Sequence, residues 1–425
     1  MSTDEKTLKA QDISVQESVV QEDISDHREP PDGGISWVVL IGCFCGLFAT
    51  QGYGYAYGVF MDYYNTNVYP NELTNLTWIG SLWYALTNIT GPIYVYMCGK
   101  VGYKWMIGVG CILSCLAMEL ASITNAVWQL YITQGIMSGI ASSLVWFPCI
   151  SAPQQWFDKK RGLAVGLAFA GSGIGGLVLS YITRAAMDNL GWQWALRILG
   201  FIQLVMIGIA YFTVRPLNPL PREVPLMDFK PFKNKKFLVL FAIHFVFNFA
   251  LYIPSAYMSS YATSIGISPL VSTSLTGVLS ALMFVGKVSN GFVSDFVGRS
   301  NQMVICLLLT GVFMVSIWYT ASSAGSLWAF TVLYGIFGGG CVTTITSVIA
   351  ECVGMDQVES ATGWLFFAWF FGGLLGQPIA AQIIEKQNGA YGGAILFGGC
   401  LYLFNAILAI VLRYMRSGNQ HFIRI

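Results

Sequence analysis

"GFVSDFVGRS", residues 291–300, closes a long apolar run with two glycines, an acid and an arginine. A degenerate relative, "VYMCGKVGYK", residues 95–104, closes another such run far upstream. Likewise "GSGIGG" at 171–176 is matched by "GGLLGQP" at 372–378. A chain that repeats an apolar run followed by a polar hinge is built twice from one plan, and the runs themselves say in which solvent.

Of the 425 residues, 55% are hydrophobic and only 10% charged, where soluble domains carry about 25%. The 46 glycines and 15% aromatics suit helices that pack closely in lipid. These numbers imply an integral membrane protein. The net charge of +1 gives no basic field for nucleic acid. The ten cysteines are scattered, mostly within apolar runs, without metal-ligand spacing, and read as small apolar filler. Residues 1–35 are polar and acidic at the start, with no apolar core region of a cleavable signal, and predict a disordered cytosolic tail.

A bilayer core takes about 20 apolar residues per helix. Runs of that kind fall at 36–60, 76–97, 104–124, 127–150, 162–183, 193–214, 237–260, 271–293, 302–321, 326–350, 361–384 and 391–413. The longest polar interruption, 215–236, divides them six and six. The expected fold is therefore all-α and membrane-spanning: twelve helices in two six-helix pseudo-repeats, 36–214 and 237–413, with a central loop and a C-terminal tail from 414 to 425. Lys100, Lys104, Lys159, Lys160, Arg161, Lys230, Lys233, Lys235, Lys236 and Arg299 fall on one side, with Arg184 and Lys386 opposite. The inside-positive rule then places both termini in the cytosol. Glu351, Asp356 and Glu359 run against the trend ahead of span eleven, although acids count little in that rule. Paired six-helix repeats flanking a cytosolic loop are a transporter architecture, with substrate held between them near the midplane.

With Gly291, Asp295, Gly298 and Arg299 so spaced, the chain beyond residue 30 resembles the major facilitator superfamily. The resemblance implies a loop that latches the cytosolic ends of neighbouring helices. The first copy keeps Lys100, Gly102 and Lys104 but has Gly99 in place of the acid, so its latch must be weaker or made otherwise. Two further stretches are similar to the monocarboxylate-transporter-like family, especially its fungal members. One is Asp32-Gly33-Gly34 with Trp37 at the start of span one, and the other is "QWFDKKRGLAVGLAFAGSGIGG" at 155–176. "YGVFMDYY" at 57–64 looks like the same branch.

The physics of these stretches is structural. Asp32 before a helix start can accept backbone N–H groups at the positive end of the dipole. Gly33 and Gly34 allow a sharp bend, and Trp37 suits the interface belt. Lys159, Lys160 and Arg161 hold the cytosolic side, while Gly162, Gly166, Gly171 and Gly175 form a spaced small face for close helix contact.

Ionisable groups at membrane depth cost a few kcal/mol on insertion scales, so each needs a reason. Lys287 lies eight residues before Asp295, about 12 Å along a helix. The resemblance implies a cation here, usually arginine, that pairs with a substrate carboxylate; lysine supplies a point charge and can lose its proton when buried. Snorkelling or a fixed ion pair is the competing reading. Where the lactate-type relatives have a lysine in span one, this chain has Tyr55, and Met283 stands in place of their acid; that proton relay does not carry over. Glu119 and Arg197 are expected to pair, or Arg197 to meet Asp188, with a proton path through Glu119 as the competing reading. His244 is either a proton carrier or a buried neutral histidine. Gln51 with Tyr55, and Asn248 with Tyr252, each fall one turn apart and could face one cavity. Asn290, Trp146 and Phe367 complete the candidate lining. Asn75 heads a sequon close to span two, and Asn88 heads a second one that reads as buried.

The expected function is secondary transport of a small organic anion, a monocarboxylate, by alternating access with proton symport, in the plasma membrane. A carrier or exporter of a neutral or larger metabolite is the alternative; a non-transporting nutrient sensor fits less well, because the polar extensions are short. No nucleophile–base pair, metal cluster or phosphate loop points to an enzyme or a cofactor. The expected partners are a small-molecule substrate, protons and lipid.

Overall fold

The computed structural model describes residues 32–70, 73–218 and 225–417. Within lipid each backbone N–H and C=O must find its partner inside the segment, so apolar runs become helices. They are α1 (Ile35–Tyr63), α2 (Leu73–Ile89), α3 (Tyr94–Ala121), α4 (Val127–Trp156), α5 (Arg161–Leu190) and α6 (Trp192–Thr213). After the central loop come α7 (Lys235–Ser264), α8 (Pro269–Val297), α9 (Arg299–Trp318), α10 (Ala324–Val353), α11 (Val358–Lys386) and α12 (Gly392–Ser417). Most outrun their apolar runs by several residues, since a helix does not stop where hydropathy does. The C-terminal tail expected from 414 is helical to Ser417. Residues 1–31 and 418–425 lie outside the described residues.

Eleven segments of the described chain are long and apolar enough to cross a membrane; one of them, Trp78–Ala121, is 44 residues long. Its helical geometry breaks at Gly102 (φ 77°, ψ 164°). The matching hinge glycine of the second motif, Gly298, has φ 102° and ψ 134° and separates α8 from α9. Both conformations lie where an L side chain is strained, which is why glycine stands at both. The outer rim is apolar to the solvent boundary: Trp105, Tyr181 and Phe212 are each at least 70% exposed. Such a girdle is stable only against lipid. The chain is an integral multi-pass membrane protein.

Helices α1 to α6 pack into one bundle and α7 to α12 into another, and the main crossings between them are α5 on α8 and α2 on α11. Both crossings are backbone-close. A Cβ on Gly166 would sit 2.4 Å from the Lys287 carbonyl oxygen, and one on Gly363 would sit 2.1 Å from that of Gly91. Lys287 and Gly91 each stand eleven residues before their hinge glycine.

The glycines of α5 do not form one face. Gly162 and Gly166 meet α8 of the other bundle at Gly291 and Lys287, whereas Gly171 and Gly175 meet α1 of their own bundle at Phe44 and Phe48. Five residues separate the two pairs, which turns them roughly 140° apart at 100° per residue.

On the face that carries both ends of the described chain, carboxylates hold the start of α5. Asp32 does not cap α1. It accepts instead from the backbone N–H groups of Asp158, Lys159 and Lys160 at 3.0, 3.1 and 3.4 Å. Its positive φ (48°) and that of Gly34 (55°) turn the chain across to them. Asp295 accepts from Gly162 and Leu163 N–H at 2.9 Å each, where the α5 dipole is positive. Arg299 donates to Asp295 and to the Asp158 carbonyl, and pairs with Glu351 at 2.6 Å; Glu351 in turn pairs with Arg416 at 2.5 Å. Trp37 rests edge-on against Phe157 at 5.3 Å, with the Lys160 amine 5.8 Å from its ring.

Candidate functional site

Midway along the bundles lies a small cavity walled by Gln51, Tyr55, Tyr84, Asn88, Trp146 and Phe169 from one bundle and by Tyr252, Lys287 and Trp369 from the other. Its long side chains come from helix positions one turn apart, 51/55 on α1 and 84/88 on α2, so each helix presents one stripe to it. Aromatic contacts fix the walls. Tyr84 meets Tyr252 at 5.0 Å, and Trp146 meets Phe169 and Phe366 at 5.6 and 5.4 Å.

Lys287 is 3% exposed. Its amine donates to Ser172 Oγ at 2.9 Å and sits 5.9 Å from the Tyr55 ring centroid. Among the described residues no carboxylate lies within ion-pair distance of it. A buried ammonium with one hydroxyl partner keeps unused donor capacity and an uncompensated charge. Two more cavity atoms lack partners among the described residues: the Asn88 carbonyl oxygen, an acceptor, and the Trp146 indole N–H, a donor. The Lys287 ammonium thus has capacity for an anionic oxygen, the indole for an acceptor and the Asn88 oxygen for a donor.

Of the eight residues expected to bind substrate, Lys287, Gln51, Tyr55, Tyr252 and Trp146 line the cavity and three do not. Asn248 stands behind the wall: its amide donates to the Trp369 carbonyl at 2.5 Å and its oxygen accepts from Tyr84 Oη at 3.3 Å. Asn290 faces the opposite way, donating to the Ile336 carbonyl at 2.9 Å and accepting from Gln302 at 2.8 Å. Phe367 stacks on Phe370 at 6.0 Å and meets Trp364 at 5.9 Å.

The proton-coupling candidates part in the same way. His244 is fully buried, and its Nδ1 accepts from the Trp369 indole N–H at 3.0 Å. An indole only donates, so this nitrogen carries a lone pair and the ring is neutral in this arrangement. Glu119 does not lock to Arg197. One of its oxygens is buried without a partner, while Arg197 donates to Ser122 Oγ at 3.1 Å and lies over Trp194 at 4.9 Å. Asp188 is taken by Arg184, one turn before it, at 3.2 Å. The i,i+4 partner on the same helix wins over the more distant Arg197.

Tyr84, Asn88, Ser172 and Trp369 are cavity residues that sequence reading missed. The signal was present for the first two, since 84 and 88 repeat the one-turn spacing that marked 51 and 55. Asn88, which the sequence reads as a buried sequon asparagine, is 2% exposed and lines the cavity.

An all-helical pair of bundles around a central cavity defines a membrane carrier. The profile of the Major Facilitator Superfamily matches in two overlapping stretches, residues 39–376 and 240–423, and the chain belongs to that superfamily. It is a secondary transporter of that type. It is 29% identical over 396 residues to the MFS transporter asaE of Aspergillus flavus, covering 92% of this chain and 89% of that one. It is 29% identical over 408 residues to the aspyridones efflux protein apdF of Emericella nidulans, covering 93% and 82%. The crystal structure of the E. coli fucose:proton symporter has the same fold, with a TM-score of 0.69 over 89% of this chain and 99% of that one at 15% identity.

Proposed function

We propose that this protein exports an acidic organic metabolite by alternating access, with Lys287 as the anion-binding residue. The observation that carries the reading is the Lys287 ammonium, buried in the cavity with a hydroxyl partner and no counter-ion among the described residues. In a low-dielectric site that charge is costly until an anion joins it, so the substrate supplies what the protein leaves out. The aromatic walls ask for an apolar or conjugated body. The Asn88 oxygen asks for a hydroxyl or amide beside the acid. Kinship to a protein named for aspyridones efflux supports export over uptake. A simple monocarboxylate satisfies the cation but leaves Asn88 unpaired, and the monocarboxylate-like kinship read from residues 32–37 and 155–176 remains compatible with a larger acid.

On the same reading the 44-residue segment Trp78–Ala121 spans twice, folding back at Gly102, because a straight helix of that length would be about 66 Å long against a core of about 30 Å. The count is then twelve, in two six-helix repeats. The face bearing both chain ends is cytosolic by its lysines and arginines, and the protein sits in the plasma membrane.

The test uses proteoliposomes and two probes, labelled benzoate or 1-hydroxy-2-naphthoate and the methyl ester of each. Wild type is expected to exchange the acids and not the esters, the hydroxy-naphthoate faster. Lys287→Ala should lower acid exchange roughly 10- to 100-fold, the worth of a charge-assisted hydrogen bond of about 1.5–3 kcal/mol, at unchanged thermal stability. Equal exchange of acid by Lys287→Ala, or of ester by wild type, overturns the assignment and favours a neutral cargo.

A further inference from the structure

Glu359 has no part in the cavity, yet it is a buried acid that needs a reason. It is the second residue of α11, is 3% exposed, and is buried between the bundles on the chain-end face. One carboxylate oxygen accepts from both the Tyr103 hydroxyl on α3 and the Gln155 amide on α4. The orientation of Gln155 is fixed independently, because its own oxygen accepts from Leu217 N–H at 3.0 Å; its NH₂ must therefore point at Glu359. The other carboxylate oxygen is buried and makes no well-formed hydrogen bond among the described residues, with the hydroxyls of Tyr94 and Ser151 close to the same carboxyl.

Among the described residues, the side chains that face this acid belong to the opposite bundle. From α3 come Tyr94, Cys98 and Tyr103, and from α4 the neutral Ser151 and Gln155. None is a cation. The central loop approaches through the Asp228 carbonyl, which accepts from the next residue, Ser360. A carboxylate cradled wholly by neutral donors from the other bundle is held while the bundles touch, and loses its cradle when they part. Protonation does the same work from the other direction, because a neutral acid accepts these hydrogen bonds about half as strongly as an ionised one.

The geometry points to Glu359 as the proton-binding site that couples protons to the opening of the chain-end face. Ionised, it clasps α11 to α3 and α4; a proton taken from solvent on that side lands on the free oxygen and releases the clasp. Phe366, on the same helix two turns deeper, touches Trp146 of the cavity wall, so movement of α11 reaches the substrate site. The inference rests on the alternating-access reading above, and its test needs no substrate.

Full-length protein in nanodiscs is titrated from pH 8 to pH 5 while two signals are recorded: the infrared C=O stretch of a protonated carboxyl, and deuterium exchange, corrected for intrinsic rate, of peptides over residues 94–104 and 155–163. Wild type is expected to gain the band and, with the same midpoint, several-fold faster exchange in both peptides. Glu359→Gln should lack that band and exchange fast at every pH. Tyr103→Phe, which keeps the acid and removes a donor, should open with its midpoint at higher pH. Wild-type exchange independent of pH, or a Glu359→Gln protein that closes and opens with pH as wild type does, overturns the assignment; so does an unmoved midpoint in Tyr103→Phe. If none of the acids above is exchanged but the titration behaves as described, the cargo reading fails and the coupling site stands.

Discussion

Lys287 and Glu359 show how far a single residue can be read. Lys287 was legible because a cation deep in an apolar run has few cheap explanations. Glu359 was not, because it follows Glu351 and Asp356 in a polar stretch and only the fold turns it inward to Tyr103 and Gln155. Asn290 misled in the other direction: three residues past Lys287 it stands about 300° around the helix, and α9 rather than the cavity claims it. Its replacement by alanine is expected to cost about 1–3 kcal/mol by leaving Gln302 and the Ile336 carbonyl unpaired, seen as a lower melting temperature with the acid-over-ester preference intact. His244 invites the opposite test. Because its Nδ1 serves the Trp369 indole, His244→Gln should leave the pH midpoint of opening where wild type has it; a displaced midpoint would return His244 to the proton path.

At the scale of one helix, α5 separates two tasks that its sequence blends. The run of spaced glycines announced close packing, and that much holds for all four. What a linear pattern does not disclose is the partner, since the five-residue step between Gly166 and Gly171 is a rotation rather than a gap. Valine at 166 would drive a side chain into the Lys287 carbonyl across the crossing between bundles, and valine at 171 into the Phe44 carbonyl within one bundle. Gly166→Val is therefore expected to keep the fold but hold the chain-end face open, with fast exchange over 155–163 at pH 8. Gly171→Val should instead lower the melting temperature, overpacking costing about 1–3 kcal/mol. Equal loss of stability in both variants would erase the distinction.

For the whole molecule, composition and the twelve apolar runs sufficed for the class of fold, because lipid leaves the backbone little choice. The cavity's makeup was only half legible, since it is set by rotations of helices about their axes that periodicity constrains loosely. Epitopes added at both ends of the chain check orientation in cells: both are expected to bind antibody only after the plasma membrane is permeabilised, and staining of intact cells at either end would refute the cytosolic assignment.

The two motif copies also differ in a way that bears on how the halves separate. In the second copy, Asp295 and Arg299 join Glu351 and Arg416 in a row of alternating charge. In the first, glycine and tyrosine occupy the corresponding positions 99 and 103, and the acid has moved across the crossing to residue 359. One seam is thus held where Asp295 and Arg299 reach across to the backbone of Gly162, Leu163 and Asp158, their charges balanced within the second bundle, and the other is tied by a knot that a single proton can slip. A carrier built this way begins to part along α2 and α11, where one acid holds the seam, and α5 and α8 let go after it.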